Sequence, residues 1–409
     1  MELSRRNILK AAGALPIGTI ALAQATHAAS DISNLPDKAS FEKMDVTYLN
    51  CASQHPLPTK SLSAAEQYYA KRSFRPNTPR TPNDSYDALH NYAKLINADI
   101  DEVAYAQSTT AAEQMILRSL GFPEAGGHII SDEFHFGGSK ITYDSLKKLG
   151  MDLTRLKEKD GKIELEDIKK ALRPDTKIIA VSLISTITGF EHDLKAICEI
   201  AHANGTLVYA DVIQAAGAMP IDVKESGVDF IAGSSFKWLM GDYGTGFLYA
   251  SKEAQNHLKR ANYGFYGFRI PAGSPSGELE RDEYGYPKSA FGHFAIGSYS
   301  FAGVELANES LKYILALGVE NIHAHNQKLN NLLKEELPKI GFALRTPLDS
   351  KGPLVVAGKP GVGAIISPYL KEAKITMSVY KDRFRVSASI FNDVDDIEYL
   401  LQTLKKAYA

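Results

Sequence analysis

Cysteine is nearly missing from this chain: two residues in 409 exclude a disulfide framework. Net charge is missing too. Lys and Arg number 46 against 48 Asp and Glu, a balance of −2, so no global attraction to nucleic acid or to an anionic membrane is expected, and any charged partner must be met locally. Past the N-terminus no segment approaches 18 continuous apolar residues, so no membrane span is expected there. No internal repeat, low-complexity tract or metal-ligand set stands out. What the chain does have is 44% hydrophobic residues over a length that exceeds one usual compact domain, which predicts two domains and a large core.

The N-terminus departs from this bland composition. Ser4-Arg5-Arg6-Asn7-Ile8-Leu9-Lys10 precedes an apolar stretch rich in Ala and Gly over 11–25, and Ala23-Gln24-Ala25 and Thr26-His27-Ala28 are candidate peptidase sites. Cationic, apolar and small residues in that order read as a secretory signal over 1–28. The paired arginines are similar to the twin-arginine signal, which implies passage of a folded protein through the twin-arginine export machinery into the periplasm. A membrane anchor is the alternative, but the stretch contains Gly13, Pro16 and Gly18 and is too short for a comfortable span.

From about residue 86 the pattern alternates. Strand-like runs at 103–106, 128–131, 178–182, 206–210 and 230–233 are separated by helical periodicity at 111–120, 139–149, 165–172 and 194–203, and Gly244-Thr245-Gly246-Phe247-Leu248-Tyr249 reads as a glycine turn opening a further apolar strand. Such alternation predicts a mostly parallel sheet covered on both faces. Residues 261–298, rich in Gly, Tyr, Phe and Pro, predict a loop at an active site or interface, and 302–337 predicts one long helix. Cys198 falls in a helical pattern as a small apolar residue. Cys51 follows Tyr48-Leu49-Asn50 and reads either as packing or as the edge of a site.

The chemistry concentrates around Lys237, which follows Asp211 by 26 residues in a largely apolar run. A lysine amine in such surroundings can lose its proton and condense with an aldehyde such as pyridoxal 5′-phosphate (PLP). A carboxylate at the end of an apolar strand can hold the pyridine nitrogen protonated. Gln214 is placed to donate to the ring hydroxyl oxygen, and Ser234 to reach the phosphate. Gln107-Ser108-Thr109-Thr110 leaves a strand and opens a helix, where hydroxyls and free amides suit a phosphate dianion or simply cap the helix. In Arg383-Phe384-Arg385-Val386-Ser387, strand alternation sets Arg385 on the face opposite Phe384 and Val386, either as a solvated charge or as a two-bond clamp for a carboxylate.

These residues, with Val181-Ser182-Leu183-Ile184-Ser185-Thr186-Ile187-Thr188-Gly189, Pro220-Ile221-Asp222, Gly227-Val228-Asp229-Phe230 and Phe236-Lys237-Trp238-Leu239, resemble the class V PLP-dependent aminotransferase-like superfamily. The Lys-Trp-Leu run is similar to its isopenicillin N epimerase-like branch, including exported members that tailor pyoverdine siderophores. The resemblance covers about residues 45–409. It implies an α/β fold, PLP-dependent transferase fold type I, with a large PLP-binding domain over 56–300. A linking helix and small α+β domain follow over 301–409, joined by the N-terminal segment 29–55.

The same resemblance assigns Lys237 and Asp211 to catalysis, and Ser108, Thr109, Thr110, Gln214 and Ser234 to the cofactor. Phe134 becomes the ring stacked on its face, with His135 as the alternative, and Arg385 the binder of a substrate carboxylate. Ser298 takes the position of a hydroxyl that reaches the neighbouring subunit's phosphate, which implies a homodimer; its alternative is an ordinary helix cap. Phe236 stands where the family has histidine, Leu183 where a polar residue is usual, and Asp242 where proline is common. No cysteine lies about fifteen residues before Arg385, which argues against persulfide formation. The implied activity is aminotransferase-type chemistry on an amino acid or peptide natural product. An epimerase, racemase or β-lyase shares the same carbanion, and a non-catalytic PLP-fold binding protein is the rival of another class.

Overall fold

The computed structural model describes residues 35–75, 86–270 and 280–408; the signal expected over 1–28 lies outside them. Asn34–Ala409 form one compact unit. At its centre is a seven-stranded sheet. Its strands, numbered along the chain, are β1 (Val103–Ala106), β2 (His128–Asp132), β3 (Asp152–Leu156), β4 (Thr176–Ser182), β5 (Leu207–Asp211), β6 (Phe230–Ser234) and β7 (Gly246–Ala250). They lie side by side in the order β1-β7-β6-β5-β4-β2-β3. All run parallel except β7, which is antiparallel to both β1 and β6.

The expected alternation holds, and burial explains it. Every residue of β1, β2, β6 and β7 is buried, as near-continuous apolar runs under helices require. The helix Leu194–His202 buries Leu194, Ile197, Cys198 and Ala201, an i, i+3, i+4, i+7 stripe, and Asp193 caps it by accepting from the Ala196 amide. One strand escaped the sequence pattern. The edge strand β3, Asp-Leu-Thr-Arg-Leu, buries only Leu156 fully and so lacks the apolar run by which the others were found. The single helix expected over 302–337 is two, Phe301–Leu317 and Val319–Lys339. Gly318, at φ 80°, breaks it in a conformation that a side chain disfavours.

A second, four-stranded antiparallel sheet orders Ser378–Val379, Phe384–Val386, Val355–Gly358 and Ala343–Leu344. It carries its own hydrophobic cluster, including Phe342, Val355, Phe384, Val386 and Leu400. The short strand Thr47–Tyr48 pairs in parallel with Ile375–Thr376. The segment after it, 49–58, then runs between the two sheets, bonded to Ser387 on one side and Phe236 on the other. Among the described residues no helix is long and apolar enough to cross a membrane.

Candidate active site

The floor of the site lies at the carboxyl ends of the central strands, where open α/β sheets place their ligands. β5 ends in Asp211 and β6 in Ser234. Antiparallel β7 then aligns Gly246 with both Ser234 and Ala106, which draws the start of the helix Thr109–Ser119 to the end of β6. A Cβ on Gly246 would come within 2.8 Å of the Gly233 carbonyl oxygen, so only glycine permits this approach. The Thr109 amide donates to Ser234 Oγ at 2.8 Å and the Ser234 amide to Thr109 Oγ1 at 2.9 Å. Thr109 and Ser234 thus join their hydroxyls and amides at a helix N-terminus, with Thr110 the next residue of that helix, a fit for a phosphate dianion. Ser108 differs from its assignment: its hydroxyl accepts from the Ala111 amide as the helix N-cap.

Lys237 lies on a tight turn after β6. The Gly241 amide donates to the Ser235 carbonyl at 2.7 Å, the Met240 amide to that of Lys237 at 2.8 Å, and Met240 is held at φ 54°. A non-glycine residue there stores about 1–3 kcal/mol of backbone strain, which the buried surroundings of Trp238, Leu239 and Met240 maintain. Burial lowers the Lys237 amine to about 8, against the opposing pull of Asp211 and with help from Arg385. The amine makes no hydrogen bond among the described residues. Asp211 is also buried, which raises its carboxyl to about 6; His135, the Ile213 amide and Lys237 oppose the rise. A desolvated amine beside a buried carboxylate, with a phosphate cradle at the same sheet edge, fits a phosphorylated pyridine aldehyde.

Arg385 forms the roof. The residue is 4% exposed, and burial lowers its affinity for its proton. It donates to Thr186 Oγ1 and the Thr186 carbonyl, to Ser53 Oγ at 2.7 Å and to Ser378 Oγ at 3.2 Å, while its Nε has no partner. No carboxylate pairs with it among the described residues. Ser53 and Ser378 are in turn both held by Asn50 Oδ1. Tyr48 lies near the same cation; burial pushes its phenol up to about 12, Cys51 and Tyr243 add to the rise, and Arg385 opposes it. Tyr243 stacks on Phe236 with ring centroids 4.2 Å apart.

Gln214 is not free for a ring oxygen. Its Oε1 accepts from Trp238 Nε1 at 2.9 Å, and its Nε2 donates to the Ala52 carbonyl at 2.9 Å and to Thr186 Oγ1 at 3.3 Å. The side chain ties the lysine turn, the segment 49–58 and the arginine's holder together. Phe134 follows β2, buried, with its ring 5.5 Å from that of Phe190. The ring nitrogens of His135 are taken up by Ser182 Oγ at 2.8 Å and Glu113 Oε1 at 3.4 Å. Ser298 is exposed and contacts none of the cradle residues of its own chain, while the helix cap that was its alternative is supplied by Ser300. Both cysteines are buried, and burial raises their thiols, Cys198 to about 12.

Ser53, Thr186 and Ser378, which hold the Arg385 guanidinium, were not candidates from the sequence. Only Thr186 carried a signal, since it lies within the run 181–189; Ser378 reaches Arg385 as its cross-strand partner, and Ser53 from a distant part of the chain.

A family model described as Aminotransferase class-V matches residues 47–400. A probable cysteine desulfurase of Methanothermobacter thermautotrophicus is 28% identical over 306 residues, 72% of this chain and 73% of its own. The uncharacterized aminotransferase YcbU of Bacillus subtilis is 24% identical over 360 residues, 88% of this chain and 93% of its own. The solved structure of the Escherichia coli cysteine desulfurase CsdA superposes with a TM-score of 0.76 at 20% identity, covering 91% of this chain and 97% of that one. The shared architecture is fold type I of the PLP-dependent enzymes, α/β with a mostly parallel central sheet.

Proposed function

The chain belongs to the class-V aminotransferase family, and we propose that this PLP-dependent enzyme works on the amino group of an amino acid or peptide natural product that bears a carboxylate beside it. The observation that carries the reading is Arg385, a buried guanidinium that meets only neutral oxygens among the described residues. A desolvated cation without a counter-charge favours an incoming anion strongly, and a carboxylate bound there comes within the electrostatic reach of Lys237.

When bound, PLP supplies an electron-accepting ring that stabilises a carbanion at the substrate α-carbon. Lys237 would hold its aldehyde carbon and afterwards move the α-proton; an amine lowered to about 8 releases and regains a proton near neutrality. Asp211 would keep a proton on the ring nitrogen. Thr109, Thr110 and Ser234 would hold the phosphate, and Phe134 would cover the ring.

Transamination is the preferred reaction, in line with the class-V aminotransferase family; the isopenicillin N epimerase-like run Lys237-Trp238-Leu239 keeps epimerisation through the same carbanion as an alternative. One observation favours a second reading: the relative from Methanothermobacter is named a probable cysteine desulfurase, which points to β-lyase chemistry. Transfer through a persulfide on this chain fits neither cysteine, since both are buried with raised thiols; direct β-elimination stays open. A single turnover with candidate amino acids distinguishes them. One keto acid per chain without release of the β-substituent supports transamination, whereas sulfide or another leaving group supports elimination. α-Deuterium exchange with neither product supports an epimerase.

The paired Arg5 and Arg6 support export to the periplasm, and retention of the Arg5→Lys, Arg6→Lys variant in the cytoplasm tests it. Tyr263, Phe265 and Phe268 are exposed in a segment whose Tyr266 amide bonds the carbonyl of exposed Ile296, two residues before Ser298. This aromatic surface supports a homodimer in which Ser298 reaches its partner's phosphate site, and sedimentation of the purified protein tests that.

A further inference from the structure

Next to Asp211, beyond the neighbouring strand end at Ser182, lies a polar cluster that the proposed reaction does not use. Glu113, on the helix Thr109–Ser119, is 1% exposed. Its carboxylate accepts from Tyr143 Oη at 2.5 Å and from Ser139 Oγ at 2.7 Å, both on the helix Gly137–Lys148, and lies 3.4 Å from His135 Nε2. The other ring nitrogen of His135 is 2.8 Å from Ser182 Oγ. Ser182 ends β4 in direct register with Asp211 at the end of β5, so the imidazole stands one strand from the carboxylate of the site.

We propose that Glu113 and His135 are a buried positioning pair, in which Glu113 holds His135 protonated and His135 keeps the Asp211 carboxylate charged for the nitrogen of the bound cofactor. The inference rests on the PLP reading above.

The groups that face His135 are Glu113 from one helix, Tyr143 from the next, Asp132 from the end of β2, and Tyr209 and Asp211 from β5. Asp132 carries a partner of its own, His192 Nε2 at 3.1 Å. Burial opposes a charge on His135, but Glu113, Asp132 and Asp211 outweigh it and raise its pKa. Among the groups that lower Asp211, His135 is the largest, and the repulsion Asp211 feels from Glu113 is smaller. A cation between two buried carboxylates offsets a cost that either one alone would meet by taking up a proton.

The test is reconstitution of apoprotein with PLP, read by the dissociation constant and by the pH midpoint of the visible absorbance, alongside melting temperature. His135→Gln removes the charge and keeps a polar side chain. Glu113→Gln keeps the partners of Ser139 and Tyr143 but releases the proton on His135. Both should weaken PLP binding about tenfold and move the midpoint by about one pH unit, the effect of one pKa unit at Asp211, with the same direction in each. Lower melting temperatures with unchanged affinity and midpoint in both variants would reduce the cluster to packing and overturn the inference. A wild-type protein that develops no visible band would instead remove the cofactor reading on which the inference stands.

Discussion

Asp211 and Arg385 are the two ends of one site, and the chain delivers them by different means. Asp211 stands on the central sheet: it pairs with Ser182 at the end of β4 and with Ala232 in β6, and the turn to Ile213 fixes one of its oxygens. Arg385 comes from the other sheet, and its holders Ser53, Thr186 and Ser378 belong to three distant parts of the chain. The floor is therefore preorganised by strand pairing, whereas the roof depends on the segment 49–58 staying between the two sheets. Cofactor retention should follow the floor, and substrate recognition the roof.

Lys237→Ala cuts across both ends and should have the largest effect. The lost proton transfer alone lowers turnover about 10²–10⁴-fold, and borohydride should trap no cofactor on the chain; a trapped adduct on the variant would move the chemistry to another amine. Next comes Arg385→Gln, which removes charge-assisted bonds of about 1.5–3 kcal/mol each. kcat/KM for carboxylate substrates should fall roughly 10²-fold or more while the PLP dissociation constant stays put. The melting temperature should hold, because the cation has no counter-charge to lose. A large drop in PLP affinity would break the division between floor and roof.

Gln214→Leu sharpens it further. The Trp238 indole N–H and the Ala52 carbonyl would lose their partner, at about 1–3 kcal/mol for each group left unpaired. The structure predicts a rise in KM larger than any change in PLP affinity. The reverse order would restore Gln214 to the ring oxygen where sequence reasoning had put it.

His55 anchors the same segment, with its amide on the Phe236 carbonyl and its Nε2 2.8 Å from Ser389 Oγ. Burial lowers its pKa to about 4. Below about 6.5 the unfolded chain takes up this proton first, so the contribution to stability should fade as pH drops from about 6.5 to about 4. Unfolding curves of His55→Asn should show a shallower acid-side slope across that window. The smallest effect belongs to Phe236→His, which restores a donor near the phosphate; PLP affinity should tighten by a few-fold, the worth of one net hydrogen bond of about 0.5–1.5 kcal/mol. A weaker affinity would mean that the stack on Tyr243 matters more than the donor.

Legibility in the sequence followed the same division. The buried parallel strands are legible as apolar runs, and Lys237, Asp211, Thr109 and Ser234 stand out as candidates because each lies at a helix start or at or just beyond a strand end. β3 was invisible because an exposed edge strand has no apolar run to show. The break at Gly318 was missed because apolar periodicity continues on both sides of one residue. Ser53 and Ser378 carried no local signal, since ordinary serines become holders of a buried guanidinium only through what they face.

By itself the sequence determined which residues bear reactive groups and which strands bury them, because apolar burial and strand or helix ends are local properties with fixed periods. Tertiary structure alone decided that Arg385 lacks a counter-ion among the described residues, that Gln214 ties Trp238 to Ala52 and Thr186, and that His135 bonds Ser182 beside Asp211. Those are statements about desolvation and hydrogen-bond partners across long stretches of chain, and neither exists until the sheets have packed.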